Sequence, residues 1–136
     1  ESKNTHEENM KWLKRIYDEN LMIRRINIRK VAIFEGTSLF EKDKDKFLKK
    51  NGKYYWKWRN DIRQNIDYPM LKRILPNDTI LKNCYSEIYD GKTTFMRQFG
   101  TYPLIVGVKK RYPLKKFYNV KITDHMLRSV TGEVVE

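Results

Sequence analysis

Tyr54-Tyr55-Trp56-Lys57-Trp58-Arg59-Asn60-Asp61-Ile62-Arg63-Gln64-Asn65-Ile66-Asp67-Tyr68-Pro69 holds two of the chain's three tryptophans and three of its nine tyrosines. Read as a helix, it stacks Tyr55, Trp58, Ile62 and Ile66 on one face and leaves Lys57, Arg59, Asp61, Arg63 and Gln64 mostly off it. Such a stripe buries itself, either in the protein's own core or on a partner, since Trp, Tyr and Arg are the residues that anchor interfaces. Pro69 closes the helix, because the residue before a proline avoids helical geometry.

Upstream, Thr5 with Glu8 matches a capping box, and Leu13, Ile16, Ile23 and Ile26 follow at helical spacing. The pattern predicts one long, one-sided helix reaching about Lys30, with Lys14, Arg15, Arg24, Arg25 and Arg29 on its basic surface. Val31-Ala32-Ile33-Phe34 is β-prone and Gly36 interrupts it. A second cap, Ser38 with Glu41, opens a short helix whose Lys42-Asp43-Lys44-Asp45-Lys46 run reads as a solvated face and which Asn51-Gly52 stops. Beyond Pro69 the character changes. Residues 70–75 could add one apolar turn before Pro76. Cys84–Tyr89, Thr93–Phe99, Leu104–Val108 and Phe117–Ile122 are then short β-prone pieces between glycines and prolines. They do not alternate cleanly, so they form either a small antiparallel meander or extended strips that order against a partner. The expected fold is mainly α in the first half and irregular, partly β in the second, with a helical region at 1–69 and a basic, extended region at 70–136.

Charge narrows the partner. Lys plus Arg number 29 against 17 Asp plus Glu in 136 residues, a net charge of +12 and a pI near 9.8. That predicts an anionic partner and an attraction weakened by salt. Lys109-Lys110-Arg111-Tyr112-Pro113-Leu114-Lys115-Lys116 concentrates five cations around an aromatic ring and reads as a phosphate or carboxylate patch. The single cysteine, Cys84, excludes an internal disulfide and points to a reducing compartment. No apolar run reaches spanning length, and the acidic start, Glu1 to Asn9, is no signal peptide.

Chemistry is sparse. His6, His125 and Cys84 are scattered along the chain, which supports neither a zinc site nor a Cys-His nucleophile, and no glycine-rich phosphate loop is present. The expectation is a non-enzymatic protein without metal, cofactor or small-molecule ligand. One competing constellation is Asp78 with Glu87 and Asp90-Gly91-Lys92, which resembles the magnesium-binding signature of PD-(D/E)xK nucleases. Asp90-Gly91 is equally a hairpin turn.

Arg15-Ile16-Tyr17-Asp18-Glu19-Asn20-Leu21-Met22-Ile23-Arg24-Arg25-Ile26 resembles the Glu-Asn helix of the Hemingway family of cilia- and flagella-associated proteins. Trp56 through Ile62-Arg63-Gln64-Asn65 to Tyr68 resembles the segment that follows in that family, and the likeness covers residues 13–69. It implies a structural protein of the axoneme in the cytoskeleton of the cilium, lying on doublet microtubules among other axonemal proteins and ordering against tubulin, because ordering costs about 1–2 kcal/mol per residue. Trp56, Trp58 and Tyr68 would be packing anchors there, and Arg24, Arg25, Arg59 and Arg63 would meet tubulin carboxylates. The alternative is a nucleic-acid-binding domain, nuclear in location, with the 109–116 patch (Lys109, Lys110, Arg111, Lys115 and Lys116) on phosphates and Trp or Tyr side chains stacking on bases.

Overall fold

The computed structural model describes residues 4–43 and 52–136, so most of the Lys42–Lys46 run and the Asn51 stop lie outside the described residues. The chain divides into two compact units, Glu1–Asp67 and Tyr68–Glu136.

In the first unit α1 spans Thr5–Asp18 and does not continue to Lys30. Asn20 stops it in the left-handed region at φ +60°. The Leu21 N–H reaches back to the Ile16 carbonyl and the Asn20 N–H to the Tyr17 carbonyl, both at 3.1 Å. These are the two bonds of a Schellman stop, and asparagine tolerates its left-handed position. Past the stop, residues 21–34 run without regular secondary structure, and the isoleucines expected on the helix sit on that irregular chain. Side chains of other elements serve that backbone. The Ile26 N–H donates to Asp67 Oδ1 at 3.0 Å and the Tyr55 hydroxyl donates to the Ile28 carbonyl at 3.1 Å. Neither expected cap forms as read. Asn4, not Thr5, precedes α1 and makes no side-chain cap bond. Before α2 (Ser38–Asp43) it is Thr37 whose Oγ1 accepts the Phe40 N–H.

The Trp-rich helix, α3, spans Tyr55–Ile62 and passes into a π-helical turn, Arg63–Asp67. Ile62 and Ile66 of the predicted stripe are buried. The chain does not stop at Pro69. The wider π turn ends one helical register, and α4 (Tyr68–Ile74) begins a new one, with the proline in its first turn, where its missing N–H costs least.

The second unit corrects the expectation of an irregular half. After α4, five strands run β1 (Ile80–Tyr89), β2 (Thr94–Arg97), β3 (Val106–Val108), β4 (Phe117–His125) and β5 (Val130–Val135). They close into a barrel in the order β1-β2-β3-β5-β4. The β3–β5 pair is parallel and the others antiparallel. Inside lie Cys84, Met96, Val106, Val108, Val120, Ile122 and Val130, joined by Leu71 from α4. Fully burying such a side chain contributes roughly 1.5–3 kcal/mol, which is how a chain this polar closes a core. At the end where β4 finishes, His125 Nε2 donates to the Leu75 carbonyl and ties α4 down. The lone Cys84 thiol is fully buried, with Sγ 3.6 Å from the Leu81 carbonyl, and burial pushes its pKa up to about 11.

Two outcomes follow from the packing. A Cβ at Gly132 would stand 2.6 Å from both the Lys121 carbonyl oxygen and Val120 Cγ1, so Gly132→Ala has to push β5 off β4. Overpacking of this kind costs about 1–3 kcal/mol or more, and thermal unfolding of the barrel should drop by several degrees. Asp67 is buried, and desolvation raises its pKa against the opposing Ile26 N–H bond and the nearby Arg25 and Arg63. A raised folded pKa favours the folded unit at low pH and loses that contribution as pH rises through it. Asp67→Asn keeps the acceptor for Ile26 and removes the titration. The variant should therefore gain stability over wild type as pH rises above the ordinary carboxylate range, read by denaturant melts across pH 3–8.

Candidate nucleic-acid interface

β1 pairs with β4 through Ile80–Tyr85 and with β2 through Tyr85–Tyr89, so Tyr85 faces Phe117 on one side and Arg97 on the other. Cys84 and Ser86 point into the barrel, which sends Tyr85 outward. Phe117 opens β4, and Phe99 follows β2 by two residues. The three rings meet with centroids 5.3–5.7 Å apart. Phe99 is 73% exposed and Phe117 55%, so this cluster of aromatic surface belongs to the outside of the barrel and adds nothing to its core. Beside it Arg97 Nη2 pairs with Glu87 at 2.7 Å, while Arg97 Nε is buried without a hydrogen-bond partner.

The basic segment between β3 and β4 is held in shape by two hydroxyls with no solvent exposure. Ser86 Oγ lies 2.9 Å from the Pro113 carbonyl and 3.1 Å from the Lys116 carbonyl, and accepts the Lys116 N–H at 3.1 Å. Thr94 Oγ1 donates to the Lys110 carbonyl at 2.7 Å and accepts the Tyr112 N–H at 3.1 Å. Lys115 sits in the left-handed region at φ +59°, a strained setting for a lysine. It is fixed there by the bond from its N–H to the Ser86 carbonyl, 2.8 Å. The loop therefore presents Lys115 and Lys116 immediately before Phe117, at the end of the barrel where β4 begins.

The residues singled out in the sequence fall into both units. Lys109, Lys110, Arg111, Lys115 and Lys116 are exposed on this loop. Tyr112 is half-buried against Tyr118 at 5.2 Å and belongs to the packing under the loop. Arg111 lies over the Tyr89 ring at 5.6 Å. Tyr68, on α4, carries Lys72 over its ring at 4.4 Å. In the first unit Trp56 is 65% exposed under the Arg59 guanidinium. Trp58 stacks with His6 and Tyr54. Arg63 lies in the π turn, and Arg24 and Arg25 are exposed on the irregular segment after α1. Sequence reading missed Tyr85, Phe99, Phe117 and Arg97. They are distant in the chain, and only the strand register brings them together.

The nuclease constellation does not assemble. Glu87 is engaged by Arg97, Asp78 lies 3.7 Å from Lys121, and Asp90 Oδ1 accepts the Lys92 and Thr93 N–H groups of the hairpin turn. Those backbone bonds hold the Asp90 pKa below its ordinary value. Among the described residues no group of three or more His, Cys, Asp or Glu could hold a metal ion, and no helix is long and apolar enough to cross a membrane.

Strand order and the single parallel pair make the second unit a five-stranded Greek-key barrel of the oligonucleotide- and oligosaccharide-binding architecture. No family model matches the chain, and no solved structure matches it. Uncharacterized proteins of two archaea do. The chain is 42% identical to one from Archaeoglobus fulgidus over 132 residues, 97% of its length, and 42% identical to one from Methanocaldococcus jannaschii over 137 residues, 99% of its length. It spans 25% of the length of each. These relatives overturn the Hemingway resemblance. They run along the whole chain and not only residues 13–69, and archaea have neither cilia nor axonemes. A tubulin partner and a place in the ciliary cytoskeleton fall with it, and archaeal relatives lend no support to the alternative nuclear location. The Glu19-Asn20 pair that carried the likeness is the Schellman stop of α1.

The hydroxyl anchors give a direct test. Ser86→Ala removes the acceptor of the part-buried Lys116 N–H, a loss of about 0.5–1.5 kcal/mol. Hydrogen exchange should show the Lys116 amide losing protection while the β4–β5 ladder keeps its own.

Proposed function

We propose that the barrel unit binds single-stranded nucleic acid on the face formed by Tyr85, Phe99 and Phe117, as a non-catalytic binding part of a longer protein. The observation that carries this reading is the exposed three-ring cluster on the outside of a barrel of this architecture. Flat exposed rings offer stacking to unpaired bases, worth roughly 1–3 kcal/mol per base and tolerant of sequence. An oligosaccharide would also accept aromatic stacking, but charge favours the polyanion, with 12 Lys and Arg against 6 Asp and Glu over residues 68–136. Lys115 and Lys116, exposed and directly before Phe117 in the chain, supply the cations for phosphates next to a base stacked there.

Fluorescence anisotropy with labelled RNA and DNA of ~10 nucleotides, a length within the range one such barrel covers, tests this in single- and double-stranded form. Single strands should bind more tightly than duplexes of the same sequence. Phe99→Ala and Phe117→Ala should each weaken binding by about 5- to 150-fold. Replacing Lys115 and Lys116 together by Ala should flatten the plot of log K against log salt by about 1.4, from roughly 0.7 per phosphate contact on a single strand. Equal affinity in the ring variants, or a duplex preference, would remove this face from consideration.

A further inference from the structure

The first unit contains a cleft that the barrel reading does not use. It has a volume of about 460 Å³ and lies between one face of α1 (Thr5, His6, Asn9, Trp12, Leu13), the irregular residues 26–29, and Trp58 with Ile62 on α3. Its walls are flat rings. His6 stacks on Trp58 with centroids 5.0 Å apart and planes 9° from parallel, and His6 Nε2 is fixed by Asp61 Oδ2 at 3.2 Å. Trp12 lines the cleft, 58% exposed, with the Arg15 guanidinium over one face of its ring at 5.2 Å. Asn9, Asn27 and Arg29 also line the cleft, and among the described residues their side chains make no hydrogen bond or ion pair.

We propose that this cleft is a second ligand site that takes one nucleotide. The base lies on the face of the Trp12 indole opposite the Arg15 guanidinium, the amides of Asn9 and Asn27 meet its polar edge, and the Arg29 guanidinium meets the phosphate. Each part of the cleft matches a part of that ligand. An indole supplies stacking to any base. A side-chain amide carries both a donor and an acceptor, as a base edge does. A guanidinium is the side chain whose planar fork fits phosphate oxygens. The volume lies within the 300–1,000 Å³ usual for small-ligand sites. The His6–Asp61 bond keeps the imidazole in its stack, so the wall is in place before a ligand arrives and little ordering is lost on binding. The site belongs to a different unit from the barrel face and stands whether or not that face binds nucleic acid.

The tryptophans separate the two sites experimentally. All three are in residues 1–67 and none is in the barrel. With Trp56→Phe as background in the full chain, emission excited at ~295 nm comes only from Trp12 and Trp58, both lining the cleft. Titration with AMP, GMP, CMP and UMP should give a saturable change for at least one of them. Arg29→Ala should weaken that nucleotide about tenfold, as should removal of the phosphate by using the matching nucleoside, since a charge-assisted bond is worth about one order of magnitude or more. Phe99→Ala and Phe117→Ala should leave the titration unchanged. The proposal is overturned if none of the four nucleotides gives a saturable change. It is equally overturned if nucleoside and nucleotide bind alike to wild type, or if ribose 5-phosphate alone reproduces the nucleotide's affinity.

Discussion

The barrel depends on the bending of β1. One strand of ten residues pairs with β4 along its first half and with β2 along its second, and closing the sheet on itself requires that strand to bend between them. Two breaks in register, between Leu81 and Cys84 against β4 and between Ser86 and Ile88 against β2, let it turn the corner. Bulges of this kind increase twist and redirect side chains. Tyr85 sits where the two ladders overlap, so the bend that closes the barrel also brings Phe117 and Arg97 to its two sides. Closure and the outer aromatic face are consequences of the same distortion.

That distortion also explains what could be read from the residues alone. The β-prone stretches in the second half were visible, yet no sheet could be assigned, because a strand's alternation changes parity at every bulge. Ile122 to Asp124 in β4 adds a third break. Val130–Val135 went unread as a strand because Gly132 interrupts it, and that glycine is required by the close approach of Lys121 and Val120. In the first half the Tyr55, Trp58, Ile62, Ile66 stripe was legible since it is local and helical. The long helix was misread at Asn20, where isoleucines continued at helical spacing after the chain had left helical geometry. The basic loop was legible as a patch but not as a shape. Its conformation is held by Ser86 and Thr94, which carry no charge or motif and show their role only when buried.

The two units use aromatic residues differently. In the barrel, which has no tryptophan, the outward cluster of Tyr85, Phe99 and Phe117 lies outside a small core built mainly of valine, with isoleucine, leucine, methionine and Cys84. In the first unit the rings are structural and exposed at once. Tyr54, Trp58 and His6 stack on one another, while Trp12 and Trp56 carry guanidinium groups on their faces. Both units carry a surplus of six cations, 17 against 11 over residues 1–67 and 12 against 6 over residues 68–136. A polyanion is thus attracted to either unit, and contact geometry must distinguish them.

The buried thiol of Cys84 has a use of its own. With no solvent exposure and a pKa near 11, it is inert to alkylating reagents and oxidants while the barrel stays closed. It becomes reactive only in molecules whose β1 has left the sheet. The chain therefore contains a native clock for the opening of one unit. The rate at which that sulfur is captured measures how often the barrel breathes.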